Sequence, residues 1–65
     1  MNTDTRYVVA VDSRYVNKNG LGGLDRASLL FTVASARELI ALLGLRAAVV
    51  VAYDRRACTL TPVAA

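Results

Sequence analysis

The sequence predicts a small single-domain α+β protein, ββαββ, with a four-stranded, mainly antiparallel sheet (order 2-1-3-4) and one helix packed on one face. Three observations carry that prediction. The chain opens with a β-branched and aromatic stretch, continues with one segment of helical apolar spacing between a capping signal and a glycine, and then runs continuously apolar. At 65 residues it fits one domain, with loose ends expected at 1–4 and 63–65.

The first strand is read over Thr5–Val16, TRYVVAVDSRYV. Alternation sets Tyr7, Val9, Val11, Ser13 and Tyr15 on one face and Arg6, Val8, Ala10, Asp12, Arg14 and Val16 on the other. The glycine-rich segment Asn17–Arg26, NKNGLGGLDR, follows. It resembles a phosphate cradle only superficially, because G-x-G-x-x-G needs glycine where Asp25 stands. A P-loop needs glycine and lysine where Asp25 and Arg26 stand. Asn19-Gly20 is a turn signal, so the segment reads as a hairpin tip. Turning the chain does not account for Leu21 and Leu24, two large apolar side chains between Lys18 and Arg26. A second strand is expected over Ser28–Val33, SLLFTV, with Leu29, Phe31 and Val33 on one face.

Ser35 followed by Glu38 fits a capping box, and Ala36, Leu39, Ile40 and Leu43 recur at helical spacing before Gly44. Ala47–Asp54, AAVVVAYD, lacks polar alternation until its end, as a strand flanked on both sides does. Arg55–Val63, RRACTLTPV, reads as a shorter edge strand, where Pro62 is tolerated because it cannot donate to a ladder. Its Cys58 reads as a small buried hydrophobe.

One helix covers one sheet face, so the other is expected to stay open. The residues assigned to it are Val8, Ala10, Val16, Ala48, Val50 and Ala52, small and apolar, and such patches mark interfaces. Composition agrees: 55% of residues are hydrophobic in a chain too short to bury them all. With one cysteine and no histidine, neither an internal disulfide nor a Cys/His zinc site can staple the fold, which leaves oligomerisation. A homodimer through those six residues is the expectation.

The same inventory argues against catalysis. Without histidine no Ser/His/Asp or Cys/His arrangement exists, and the five carboxylates are scattered through a terminus, a strand, a loop, a helix cap and a turn. No catalytic residues, cofactor or metal are expected. A net charge of +3 excludes a carboxylate-rich mimic of DNA and favours contact with phosphate. Arg6, Arg14, Lys18 and Arg26 fall on the first hairpin and Arg55 and Arg56 in the last turn, while the tyrosines fall in phase with core positions. Neither the aromatic signature of an RNA-recognition sheet nor the second helix of a helix-turn-helix is read from the sequence. MNTDTR shows no signal-peptide pattern, and the apolar runs are too short to span a bilayer; a cytoplasmic protein with no membrane contact is expected.

Phe31–Gly44, FTVASARELIALLG, resembles the F-x-V-x-S-x-x-E-L joint of several very small phage and mobile-element proteins, some of them anti-CRISPR inhibitors. The resemblance covers about a fifth of the chain and transfers no functional residue. It implies a stoichiometric inhibitor that blocks a nucleoprotein complex in a bacterial or phage-infected cell. The reading is thus a non-enzymatic module that binds a protein or nucleoprotein partner through Lys18, Leu21, Leu24, Arg26, Arg14, Arg55 and Arg56. Direct nucleic-acid binding by the first hairpin's basic residues is the alternative.

Overall fold

The computed structural model of the protein describes residues 4–63. Its elements are β1 (Thr5–Val11), β2 (Arg14–Asn17), β3 (Gly20–Gly22), a single 3₁₀ turn (Leu24–Arg26), α1 (Val33–Leu43), β4 (Val49–Asp54) and β5 (Thr59–Pro62). The sheet has five strands, not four, in the order β3-β2-β1-β4-β5, and every named pairing is antiparallel. The expected loose ends at 1–3 and 64–65 lie outside the described residues. Asp4 and Val63 are both tied down, Asp4 by accepting from the Arg55 amide and Val63 by donating to the Val50 carbonyl.

The extra strand arises because the first apolar stretch is a hairpin. Asp12 and Ser13 adopt left-handed backbone, φ 48 and 69, the signature of the tight turn whose twist matches its flanking strands. β1 and β2 then pair through Ala10 with Tyr15 and Val11 with Arg14. A two-residue turn breaks the alternation, so Val16 comes to the same face as Val9 while Tyr15 goes to the opposite one. The glycine segment makes the next hairpin, one residue earlier than Asn19-Gly20 implies. Asn17 pairs with Gly20, the Asn17 side chain accepts from the Asn19 amide, and Gly20 takes φ 128, a conformation open to glycine.

Ser28–Val33 is not a second strand. Its extended start lies between β2 and the first half of β1: the Ser28 amide donates to the Val16 carbonyl, and Leu30 exchanges both backbone hydrogen bonds with Tyr7 at 2.7 and 2.8 Å. Val33 already belongs to α1. The helix begins at Val33, three residues earlier than a Ser35 cap implies, because Thr32, in extended backbone, accepts from the Ser35 amide at 3.0 Å and is the N-cap. Ser35 and Glu38 therefore form no capping box. The C-terminal end follows expectation, with Gly44 left-handed and the Leu45 amide donating back to the Ile40 carbonyl.

The core forms where α1 crosses the sheet. Val9, Val16, Ala36 and Val50 are buried, with Tyr7, Leu30, Val33, Leu39, Ile40, Leu45, Ala48 and Val63 packed around them. Ala36 has no exposed surface, and its single methyl lets the helix approach the valines closely. Leu43 leaves the expected stripe and is half exposed. The expected juxtaposition of the first and third strands holds: β4 runs antiparallel to β1 from Thr5–Asp54 to Ala10–Val49, and β5 closes the far edge.

Candidate interaction surfaces

The pairing registers fix which side chains share the face that α1 leaves open. Val9 and Val50, paired with each other, point to the helix, so their neighbours along each strand point away. One row across this open face reads Leu60, Tyr53, Arg6 and Phe31; the next reads Pro62, Val51, Val8 and Leu29; the third reads Val49, Ala10, Tyr15 and Gly22. Val8 and Val51 are buried although no helix lies over them, which leaves the larger flanking side chains to shield them. Around that floor Leu29, Val49 and Leu60 are 40–45% exposed, and Phe31 is 74% exposed.

This arrangement corrects the expected interface. Val8 and Ala10 are on the open face as assigned. Val16, Ala48 and Val50 instead pack in the core beneath the helix, and Ala52, paired with Tyr7, shares their side. The cause is the Asp12–Ser13 turn for Val16, and for β4 the register that pairs Val50 with Val9. The tyrosines are corrected by the same logic. Only Tyr7 is in phase with the core; Tyr15 and Tyr53 join Phe31 on the open face, which therefore carries three of the four aromatic residues.

Arg6 lies in the middle of the aromatic row. Its guanidinium sits 4.5 Å from the centroid of the Phe31 ring and also donates to the Thr5 carbonyl at 2.9 Å. Basic residues also lie at two places around this face. Arg55 and Arg56 occupy the β4–β5 turn next to Tyr53; the Asp54 carboxylate accepts from the amides of Arg56 and Ala57 and so fixes that turn. At the second place Lys18 and Arg26 line one groove of about 350 Å³ with Asn17, Asn19, Ala27, Ser28 and Leu29.

The residues assigned to partner binding thus separate. Lys18 and Arg26 come together in one groove, and Arg55 and Arg56 stand apart from them in the β4–β5 turn. Arg14 follows the Asp12–Ser13 turn at the other end of β1. Leu21 pairs with Val16 and faces the helix side, where with Leu43 and Leu45 it lines a second groove; Leu24 is partly buried in the 3₁₀ turn. Cys58 is exposed in the β4–β5 turn at φ 55, not buried in a strand, because that strand begins only at Thr59. Sequence reasoning missed the row of Tyr53, Arg6 and Phe31. The signal that could have found it is the Asp-Ser pair, which cuts the alternation at the point where the face assignments went wrong.

Among the described residues no group of three or more His, Cys, Asp or Glu could hold a metal ion, and no helix is long and apolar enough to cross a membrane. Comparison with protein families, with curated proteins and with solved structures finds no match to this chain, so the resemblance at Phe31–Gly44 gains no relative to support it.

Proposed function

We propose that this chain is a non-enzymatic binding module whose working surface is the open face of the sheet. The observation that carries this reading is the combination on one face of a buried apolar floor, Val8 and Val51, with a raised rim of Phe31, Leu29, Val49 and Leu60. Holding a phenylalanine three-quarters in water adds little to a fold beyond its contact with Arg6. Aromatic and arginine side chains grouped around an apolar centre are the composition that dominates binding energy at interfaces. The inventory of titratable groups supports the absence of chemistry: no histidine exists, Asp54 is committed to the β4–β5 turn, and the single thiol sits in an exposed turn.

The test uses the full chain as bait in a bacterial lysate, with and without nuclease, beside sedimentation velocity of the chain alone. Phe31→Glu and Val49→Glu place a charge on the rim of the open face, and Leu42→Glu does the same on the helix, where Leu42 is 82% exposed. The reading expects both face variants to lose the captured partner, or self-association, while the helix variant keeps it. Equal behaviour of all three variants, each shown folded by circular dichroism, sinks it.

A further inference from the structure

We infer that the occupant of the open face is a single-stranded nucleic acid, laid across the strands along the row Tyr53, Arg6, Phe31. The inference rests on the proposal that this face is the working surface and names its partner. Two properties of the face point to this chemistry and act together.

The first is the spacing of aromatic rings. Tyr53 on β4 and Phe31 beside β1 flank Arg6 in one row, so they stand two strand separations apart, about 10 Å. Tyr15 lies two rows away along the strands, beside Ala10. Phe31, 74% exposed with Arg6 over its ring, and the half-buried Tyr53 can each take a base on the part of the ring left open, and stacking tolerates any base because every base has a π-face. A base pair inside a duplex cannot reach such a platform, since its faces are covered by its neighbours. The arrangement therefore selects for unpaired strands.

The second is charge. Five of the eight basic residues lie in or around this face: Arg55 and Arg56 in the turn that follows β4, Arg6 within the row, and Lys18 with Arg26 in the groove that adjoins Leu29, at the end of the neighbouring row. Among the acidic residues, Glu38 is on the helix, Asp12 is in the turn at the far end of β1, and Asp54 is on the helix side of β4. Asp4 and Asp25 lie beside this face and the Asp54 carboxylate holds the turn that carries Arg55 and Arg56, so five basic residues stand against three acids. An apolar protein partner would use the valine floor but has no need of basic groups on both sides of it. A phosphate backbone does, with its bases turned to the rings. The groove of Lys18 and Arg26 also offers the amides of Asn17 and Asn19, side chains able to bond a base edge or a sugar hydroxyl.

The experiment measures fluorescence anisotropy of labelled dodecamers of deoxythymidine, of uridine and of a mixed-sequence DNA duplex against the full chain, from 25 to 300 mM salt as about a tenfold range. The single strands should bind and the duplex should bind at least about tenfold more weakly, with a log–log salt slope of about −2 to −3.5 for three to five neutralised phosphates. Comparison of the DNA and RNA strands reports whether the 2′-hydroxyl is read. Phe31→Ala and Tyr53→Ala should each weaken binding about tenfold with little change in salt slope. Arg55→Ala combined with Arg56→Ala should make the slope shallower by about one unit. Arg37→Ala removes a charge from the helix on the opposite side and should leave the ring-dependent term unchanged. The inference is overturned by equal binding of duplex and single strand, by equal losses for Arg37→Ala and Phe31→Ala, or by no binding at about 100 μM protein in low salt. If no oligonucleotide binds and Phe31→Glu still abolishes capture of a nuclease-resistant partner or self-association, the nucleic-acid inference fails while the open face stands as a protein surface. If neither measurement responds to the face variants, both readings fail.

Discussion

The Arg6 guanidinium lies 4.5 Å from the centroid of the Phe31 ring, on the face of the sheet that the helix does not cover. This contact joins β1 to the segment just before α1, yet the ring itself is 74% exposed. An exposed cation–π pair contributes about 0.5–1 kcal/mol, whereas removing a buried aromatic side chain costs about 3–5 kcal/mol. Phe31→Ala should therefore lower the unfolding free energy by no more than about 1 kcal/mol in urea titration. A loss above about 3 kcal/mol would mean that the ring serves the fold and not a partner.

The start of α1 separates two readings of the same short segment. Thr32 supplies the capping oxygen to the Ser35 amide, and its own hydroxyl donates to the Ser35 hydroxyl at 2.9 Å. Thr32→Ala should cost about 1 kcal/mol. Glu38, exposed at the sixth helical position, has no backbone amide to serve, and Glu38→Gln should change stability by less than about 0.5 kcal/mol. A reversal of these two effects in thermal or urea unfolding would restore the Ser35–Glu38 capping box.

That substitution of caps shows what the sequence could and could not specify. The helix, its Gly44 stop, the apolar character of β4, the pairing of β4 beside β1 and the edge position of Pro62 were all legible, because each depends on local spacing or on one residue's backbone chemistry. The faces were not. A period of two carries no information about where a strand ends, and Asp12-Ser13 lacks the glycine that usually marks a two-residue hairpin turn. Reading through it moved Val16 and Tyr15 to the wrong sides. The set Leu29, Phe31 and Val33 held only in part: Leu29 and Phe31 share the open face, while Val33 opens α1 and packs on the core, as does Leu30 through its bridge to Tyr7.

Among the described residues, two other than glycine hold left-handed backbone outside the hairpin of Asp12 and Ser13: Ala47 at φ 56 and Cys58 at φ 55. That conformation costs a residue with a β-carbon about 1–2 kcal/mol, and the extra freedom of glycine in the unfolded chain returns about 0.5–1 kcal/mol of this. Ala47→Gly and Cys58→Gly should each stabilise the fold by about 0.5–1 kcal/mol. Gly44→Ala, at φ 62, should destabilise it by a similar amount. All three can be measured by the shift of the urea midpoint at constant m-value.

Ala36 is the point at which helix and sheet touch most closely, with no exposed surface among Val9, Val16 and Val50. A larger side chain there must lift α1 or shift the valines. Ala36→Leu should cost about 1–3 kcal/mol despite adding apolar area. The same change at Ala41, on the exposed side of the helix, should cost less than about 0.5 kcal/mol.

Pro62 guards the outer edge of the sheet. The Val63 amide donates to the Val50 carbonyl, so by the alternation of an antiparallel ladder Thr61 and Thr59 also turn their backbone groups to β4, while Leu60 and Pro62 turn theirs outward. Leu60 thus offers an outward amide, and at Pro62 the position of the second one is filled by the pyrrolidine ring. A strand from another molecule could find one donor but not the next, and the ring obstructs its approach. Pro62→Thr restores the donor without changing the bonds to β4. The variant should keep its monomer stability within about 1 kcal/mol, since the lost ring rigidity is the main change to the folded chain. It should self-associate at lower concentration than the parent, with added antiparallel β signal in the infrared amide I band. Sedimentation velocity over a concentration series checks this, and an unchanged distribution would show that the edge is protected by something other than the proline. Because Pro62 also lies on the open face beside Val51, the comparison is repeated in a Phe31→Glu background, where association through that face is suppressed and the remaining difference isolates the edge.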